Sequence, residues 1–257
     1  MKHNFSVVAL IFFIIRTFFS LISYHDILSL MLSLILGIIL IFIAFQLNFK
    51  KSILFSLLSF SILIFYFVFI LIDSAFFINT HYFQTNNLIL IIPTLLLLVF
   101  IIGKNKLQII SSMSNILMFF FILTFIILVI GIFPSINTNH SSVSPMFSLL
   151  PFGFLFITST FKDKKRDVYQ GYFIASIVIL IEMILSILSL GYLISNTYLY
   201  THVSIINQLT HLSFLGSLEI FFSFSHLFGN IITLSIILYL TKKRVYDSIL
   251  QVKPKDS

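Results

Sequence analysis

The feature that most constrains this chain is a series of apolar runs, each close to the length a bilayer requires. A helix needs about 20 apolar residues to cross a ~30 Å hydrocarbon core. Runs of this kind lie at 6–23, 27–47, 53–77, 88–103, 113–134, 146–161, 171–195 and 213–241. The fourth and sixth are short, and the sixth carries Pro151 and Gly153, residues that kink, break or tilt a span. The pattern predicts an all-α, polytopic membrane protein with about eight transmembrane helices. Residues 1–241 would form the integral membrane domain and 242–257 a basic cytoplasmic tail.

Composition excludes several other classes. The chain is 59% hydrophobic and 9% charged, whereas soluble domains carry about 25% charged residues. It has no Cys, so disulfides, thiolate metal sites and cysteine nucleophiles are ruled out. A net charge of +7 would ordinarily raise nucleic acid as a partner. Here the basic residues sit at the ends of apolar runs, so the expected partner is membrane lipid and not nucleic acid. Lys2 and His3 before an apolar run from Phe5 resemble a signal peptide, but no small-x-small site follows and Arg16 interrupts the run. An uncleaved first span is the better reading.

Cytoplasmic loops carry the excess of Lys and Arg, and the eight runs meet that rule. Lys2 precedes the first. Lys50 and Lys51 follow the second, Lys104 and Lys106 the fourth, "KDKKRD" (162–167) the sixth, and "TKKRVYDSILQVKPKDS" the eighth. The opposite connections, "YHD", "INTHYFQTNN", "SINTNHSSVS" and "SNTYLYTHVSIINQLTHLS", contain no Lys or Arg. Both termini are therefore expected in the cytoplasm. The outer loops hold His25, His81, His140, His202 and His211, but these lack the fixed short spacing and supporting shell of a metal site. They read as polar loop residues, and no metal or cofactor is expected.

Polar residues inside the spans are more informative. Helical steps of three and four return to one face. In the eighth run Glu219, Ser223, His226, Asn230 and Thr233 follow such steps and form one seam. A charged group facing lipid at mid-depth costs at least ~2.5 kcal/mol, so the seam must face other helices or a wet cavity. Glu182, Ser186 and Ser189 repeat the pattern in the seventh run, and Ser59, Tyr66 and Asp73 in the third. Arg16 lies about 15 Å inside the first run at 1.5 Å per residue, too deep to snorkel easily. Arg16 and Asp73 are the candidate buried ion pair, with Glu182 and Glu219 as alternative acids. Two readings stay open. The polar groups either glue helices together, or line a cavity for a small zwitterion or ion in which His226 could couple to protons. Enzyme chemistry finds no motif: there is no HExxH, no phosphate-cradling Gly loop and no acidic cluster in the longest outer loop.

Three stretches, "IIGKNKLQIISSMSNILMFF" (101–120), "PFGFLFITSTFKDKK" (151–165) and residues 190–240, resemble the B-subunits of spore germinant receptors, which belong to the amino acid–polyamine–organocation superfamily. "YHDILSLMLSLILGIILI" (24–41) is similar to that family's second span. Lys162 to Lys165 and Gly191 occupy places comparable to the family's basic connection and the glycine closing its seventh span. Leu218 and Glu219 match its Leu-Glu pair. The chain departs from the family in having fewer spans, a connection between the second and third reduced to "NFKK", and Lys106, Leu107 and Gln108 where Gly-Leu-Glu is usual. The resemblance implies a shortened, incomplete inverted-repeat core with a midplane site formed partly by a discontinuous helix. On that basis Gly153, Thr158, Ser159, Glu182, Glu219, His226 and Asn230 are the candidate ligand-binding residues.

The expected function is then an amino-acid-permease-like nutrient-sensing subunit of the bacterial cytoplasmic or inner spore membrane. Its partners would be other germinant receptor subunits and a small amino-acid-like ligand, with no catalysis. The alternatives are a non-transporting membrane assembly or immunity-type protein, and a polytopic enzyme acting on lipid-linked sugars.

Overall fold

The computed structural model describes residues 4–20, 27–46, 53–83, 87–104, 107–132, 157–190 and 216–252. Among them are seven α-helices: α1 (Asn4–Ser20), α2 (Ile27–Gln46), α3 (Ile53–Ile78), α4 (Leu88–Gly103), α5 (Leu107–Ile132), α6 (Lys165–Leu190) and α7 (Gly216–Val252). A π turn over Asn79–Phe83 extends α3, and a 3-10 turn over Ser159–Lys164 leads into α6. The helices α2, α3, α5, α6 and α7 are long and apolar enough to cross a bilayer, while α1 and α4 are shorter apolar helices. Lipid offers no hydrogen bonds to a bare backbone, so an apolar run of this length must be helical to satisfy itself.

The chain is thus a multi-helix membrane protein. The sixth run, on which the count of eight depends, lies outside the described residues except for 157–161. Some boundaries differ from the hydropathy reading. α5 starts at Leu107 and α6 at Lys165, each about six residues earlier than expected, and α7 continues to Val252. Helices extend beyond the hydrocarbon because polar residues such as Gln108 or Arg166 continue a helix once in water. The basic tail therefore begins as a helical extension of α7.

Side-chain hydroxyls are absorbed locally. Ser33, Ser74, Thr94, Ser114, Thr233 and Ser235 each donate to the carbonyl four residues earlier, at 2.7 to 2.9 Å. Such back-bonding lets a hydroxyl sit in an apolar helix without a partner from elsewhere.

Helix α1 is the hub. Every residue from Val7 to Phe19 is buried, with α5, α6 and α7 packed around it. Two glycines on the surrounding helices permit the close approach. A Cβ at Gly171 would stand 2.7 Å from the Val8 carbonyl oxygen, and one at Gly229 would stand 3.0 Å from the Phe13 ring. Helix α7 also packs on α3 and α4, while α2 leans chiefly on α6 and its 3-10 turn.

The contacts also give directions. Gly171 meets Val8 and Ile11 while Glu182 meets Arg16, so α1 and α6 run the same way. Val7 and Leu107 share one cleft, while the Phe12 and Phe121 rings lie 5.4 Å apart, so α5 runs with them. Helix α7 runs opposite, with Tyr239 beside Val7 and Thr233 beside Thr17. Phe45 lies by Tyr169 and Leu34 by Tyr172, so α2 opposes α6. One end of the bundle therefore gathers Lys104, Lys164, Lys165, Arg166 and Lys242, all exposed. Arg16 is the exception, a basic side chain enclosed in the core.

Candidate functional site

Two polar stations flank α1. At the first, Arg16 Nη2 donates to Glu182 Oε1 of α6 at 3.1 Å. The two side chains are 5% and 18% exposed. The guanidinium carbon lies 4.3 Å from the Phe121 ring centroid of α5, so the ring's negative face supplements the Glu182 carboxylate. The Arg16 Nε is buried and has no hydrogen-bond partner among the described residues.

At the second station, between α3 and α7, the His226 ring is buried and lies 4.7 Å from the Phe77 ring. Its Nε2 is 4.0 Å from Asp73 Oδ2 and 3.4 Å from Asn230 Nδ2. Asn230 Nδ2 also donates to Ser74 Oγ at 3.1 Å, and the Ser74 hydroxyl donates in turn to the Ile70 carbonyl. That leaves Asn230 Oδ1 buried without a partner among the described residues. The stations are joined by the Thr233 hydroxyl, which lies 3.1 Å from Thr17 Oγ1, one residue from Arg16.

The seam read on the eighth run is inward: Ser223, His226, Asn230 and Thr233 are all buried. From Gly229 to Ile237 the whole circumference of α7 is enclosed, so its apolar residues there meet helices and not lipid. Ser59 and Tyr66 are buried on α3, with Asp73 half-buried. The hydrogen-bonded ion pair differs from the expected Arg16–Asp73 pairing. Arg16 bonds Glu182, because α6 lies directly against α1, and Asp73 faces His226 across α3 and α7.

The candidate ligand residues are only partly brought together. Glu182 stands at the first station, and His226 and Asn230 at the second. Thr158 is buried at the basic end, one turn before Phe161, which lines a cleft with Val7 and Leu107. The side chain of Ser159 and that of Glu219 lie outside the described residues, as does Gly153 entirely. The break expected near Gly153 therefore falls outside the described chain, although Phe161 has non-helical angles of φ −106° and ψ 30°.

Sequence reasoning missed Thr17, Ser74, Phe77 and Phe121. Thr17 and Ser74 could have been found as immediate neighbours of Arg16 and Asp73. Nothing singles out two ring partners among 33 Phe. Among the described residues no three His, Asp or Glu side chains converge as a metal site would require. No family model, curated protein or solved structure matches the chain.

Proposed function

We propose that the chain is an amino-acid-permease-like membrane protein, a germinant-receptor-type subunit whose buried polar core receives a small amino-acid-like ligand. The observation that carries this reading is that Arg16 Nε and Asn230 Oδ1, on the two stations, are among the four buried side-chain atoms without a hydrogen-bond partner among the described residues, the others being Asn115 Oδ1 and Ser225 Oγ. Each unmade bond costs about 1–3 kcal/mol when buried. A zwitterion carries both missing complements: a carboxylate would accept from Arg16 Nε and an ammonium would donate to Asn230 Oδ1. Ionisable groups at membrane depth commonly line such pathways.

The proposal extends to topology. Because α5 and α6 run the same way, Ile132 and Ile157 stand at opposite ends of the bundle, which supports the count of eight crossings. The basic end then lies in the cytoplasm by the positive-inside rule, with both termini there. The membrane would be the bacterial cytoplasmic or inner spore membrane, and other receptor subunits would be its partners.

A second reading, a non-transporting assembly or immunity-type protein, is favoured by the Arg16–Glu182 bond, which joins helices without any ligand. Thermal unfolding of the full chain in nanodiscs, titrated with each proteinogenic amino acid, separates the two. A ligand at 100 times its dissociation constant stabilises by about 2.7 kcal/mol. At least one amino acid should raise the midpoint by several degrees, and the effect should vanish in Asn230→Leu. If none of them moves the midpoint, the packing reading stands and the ligand reading fails.

A further inference from the structure

A groove runs between α2 and α6. It has a volume of about 520 Å³ and is walled by Met31, Ile35 and Ile38 on one side and Phe173, Ile177 and Leu180 on the other. Tyr172 forms its floor. The Tyr172 hydroxyl donates to the Leu34 carbonyl at 2.7 Å, and Gly37 makes room for the ring, since a Cβ there would stand 3.0 Å from Tyr172 Cζ. Phe173, at 65% exposed, and Ile35, at 52%, show that the groove opens outward.

Its length is informative. From Gln170 to Leu180 the α6 wall rises about 15 Å at 1.5 Å per residue, which is half of a ~30 Å hydrocarbon core. The groove is therefore one leaflet deep, too short to seat a membrane-spanning helix from a partner. It is not placed symmetrically. Tyr169 and Gln170 line it at the basic end of the bundle, where Phe45 packs on Tyr169 and Lys165 Nζ lies 5.7 Å from the Phe45 ring. Arg166, Gln170, Phe173, Ile177 and Leu180 follow steps of four, three, four and three, so they share one helix face. Arg166 stands one turn beyond the mouth of the groove, on its own wall, and is exposed with Lys165.

We propose that this groove binds an anionic phospholipid of the leaflet at the basic end. One acyl chain fills the apolar slot, and the phosphate is met by Lys165 and Arg166, with Gln170 and Tyr169 at the headgroup boundary. Basic side chains at the cytoplasmic edge of a slot between helices are the chemistry by which anionic headgroups are selected over zwitterionic ones.

The chain has no Trp, so a single introduced indole reports without background. Full-length Phe173→Trp is reconstituted in vesicles mixing phosphatidylcholine and phosphatidylglycerol, with bromine-labelled chains on one lipid or the other. Each surface cation contributes about 1 kcal/mol toward an anionic surface, a factor of about five. Brominated phosphatidylglycerol should therefore quench at an apparent affinity at least five-fold tighter than brominated phosphatidylcholine. The preference should fall to parity in Phe173→Trp carrying Lys165→Gln and Arg166→Gln. A Phe119→Trp reporter on the exposed side of α5 should show no preference. Equal quenching by both lipids at position 173 would mean bulk lipid only. No quenching by either would mean that protein covers the groove, and both results overturn the proposal. Should Phe173→Trp fail to fold, Ile38→Trp on the opposite wall gives the same readout.

Discussion

Helices α1 and α2 are close in composition and opposite in environment. Both are made chiefly of Ile, Leu and Phe. Every side chain of α1 from Val7 to Phe19 is buried, whereas α2 exposes Leu28, Met31, Ile35, Ile38, Ile39 and Phe42. In water an all-round apolar helix would have to be internal. In a bilayer that inference fails, because lipid tails are as apolar as Leu and nothing drives such a helix inward. What separates the two helices is their polar content. Helix α1 carries Arg16 and Thr17 at depth, each bonded to another helix. In α2, Ser33 spends its hydroxyl on its own backbone, so it places no demand on a neighbour.

If Arg16 is what ties α1 to the centre, removing its partner should do the most damage. Glu182→Leu leaves a buried guanidinium without its carboxylate, beside the Phe121 ring. Breaking a buried pair in this one-sided way costs about 3–5 kcal/mol. The expected outcome is a large drop in unfolding midpoint in detergent titration. The double variant Arg16→Leu with Glu182→Leu should recover most of that loss, since both charges are gone. A Glu182→Leu protein as stable as the wild type would show that α1 is held by apolar packing, and the contrast with α2 would lose its cause.

Glycines sharpen the same contrast at a smaller scale. At Gly171 a Cβ would meet the Val8 carbonyl and the Ile11 Cβ, at 2.7 and 2.9 Å. Both belong to the body of α1 and cannot swing aside. Gly171→Ala should therefore cost about 1–3 kcal/mol as overpacking. At Gly37 the obstacle is the tip of Tyr172, which can rotate away at the loss of its bond to the Leu34 carbonyl, about 1 kcal/mol. The measured order in chemical denaturation should be Gly171→Ala below Gly37→Ala. The reverse order would place the tight interface at α2.

How far the fold could be read from the residues follows from this. Apolar runs and flanking charges are local properties, so the helices and the basic end were evident without coordinates. The inward seam on α7 was also readable, because His226 and Asn230 cannot face lipid and their spacing is helical. The choice of partner was not readable: Arg16 had three candidate acids, and only the adjacency of α1 and α6 selects Glu182. Equally hidden was the enclosure of α1, because no residue from Val7 to Ile15 distinguishes protein neighbours from lipid. Gly171 and Gly229 did carry a signal, a small residue where another helix comes close, but a lone glycine does not name the helix it admits.

The weakest tie between the stations is the contact of Thr17 with Thr233, and it gives the finest test. Thr233 already bonds the Gly229 carbonyl at 2.9 Å, so its bond to Thr17 at 3.1 Å is a shared one. Interhelical polar contacts of this kind average about 0.6 kcal/mol. A double-mutant cycle of Thr17→Val and Thr233→Val should give a coupling near that value. Coupling well above it, near the ~1.7 kcal/mol maximum for such contacts, would mean that the Arg16 and His226 stations respond as one network. No coupling would leave α1 fastened to α6 by its ion pair and to α7 by shape, as where Phe13 sits on Gly229.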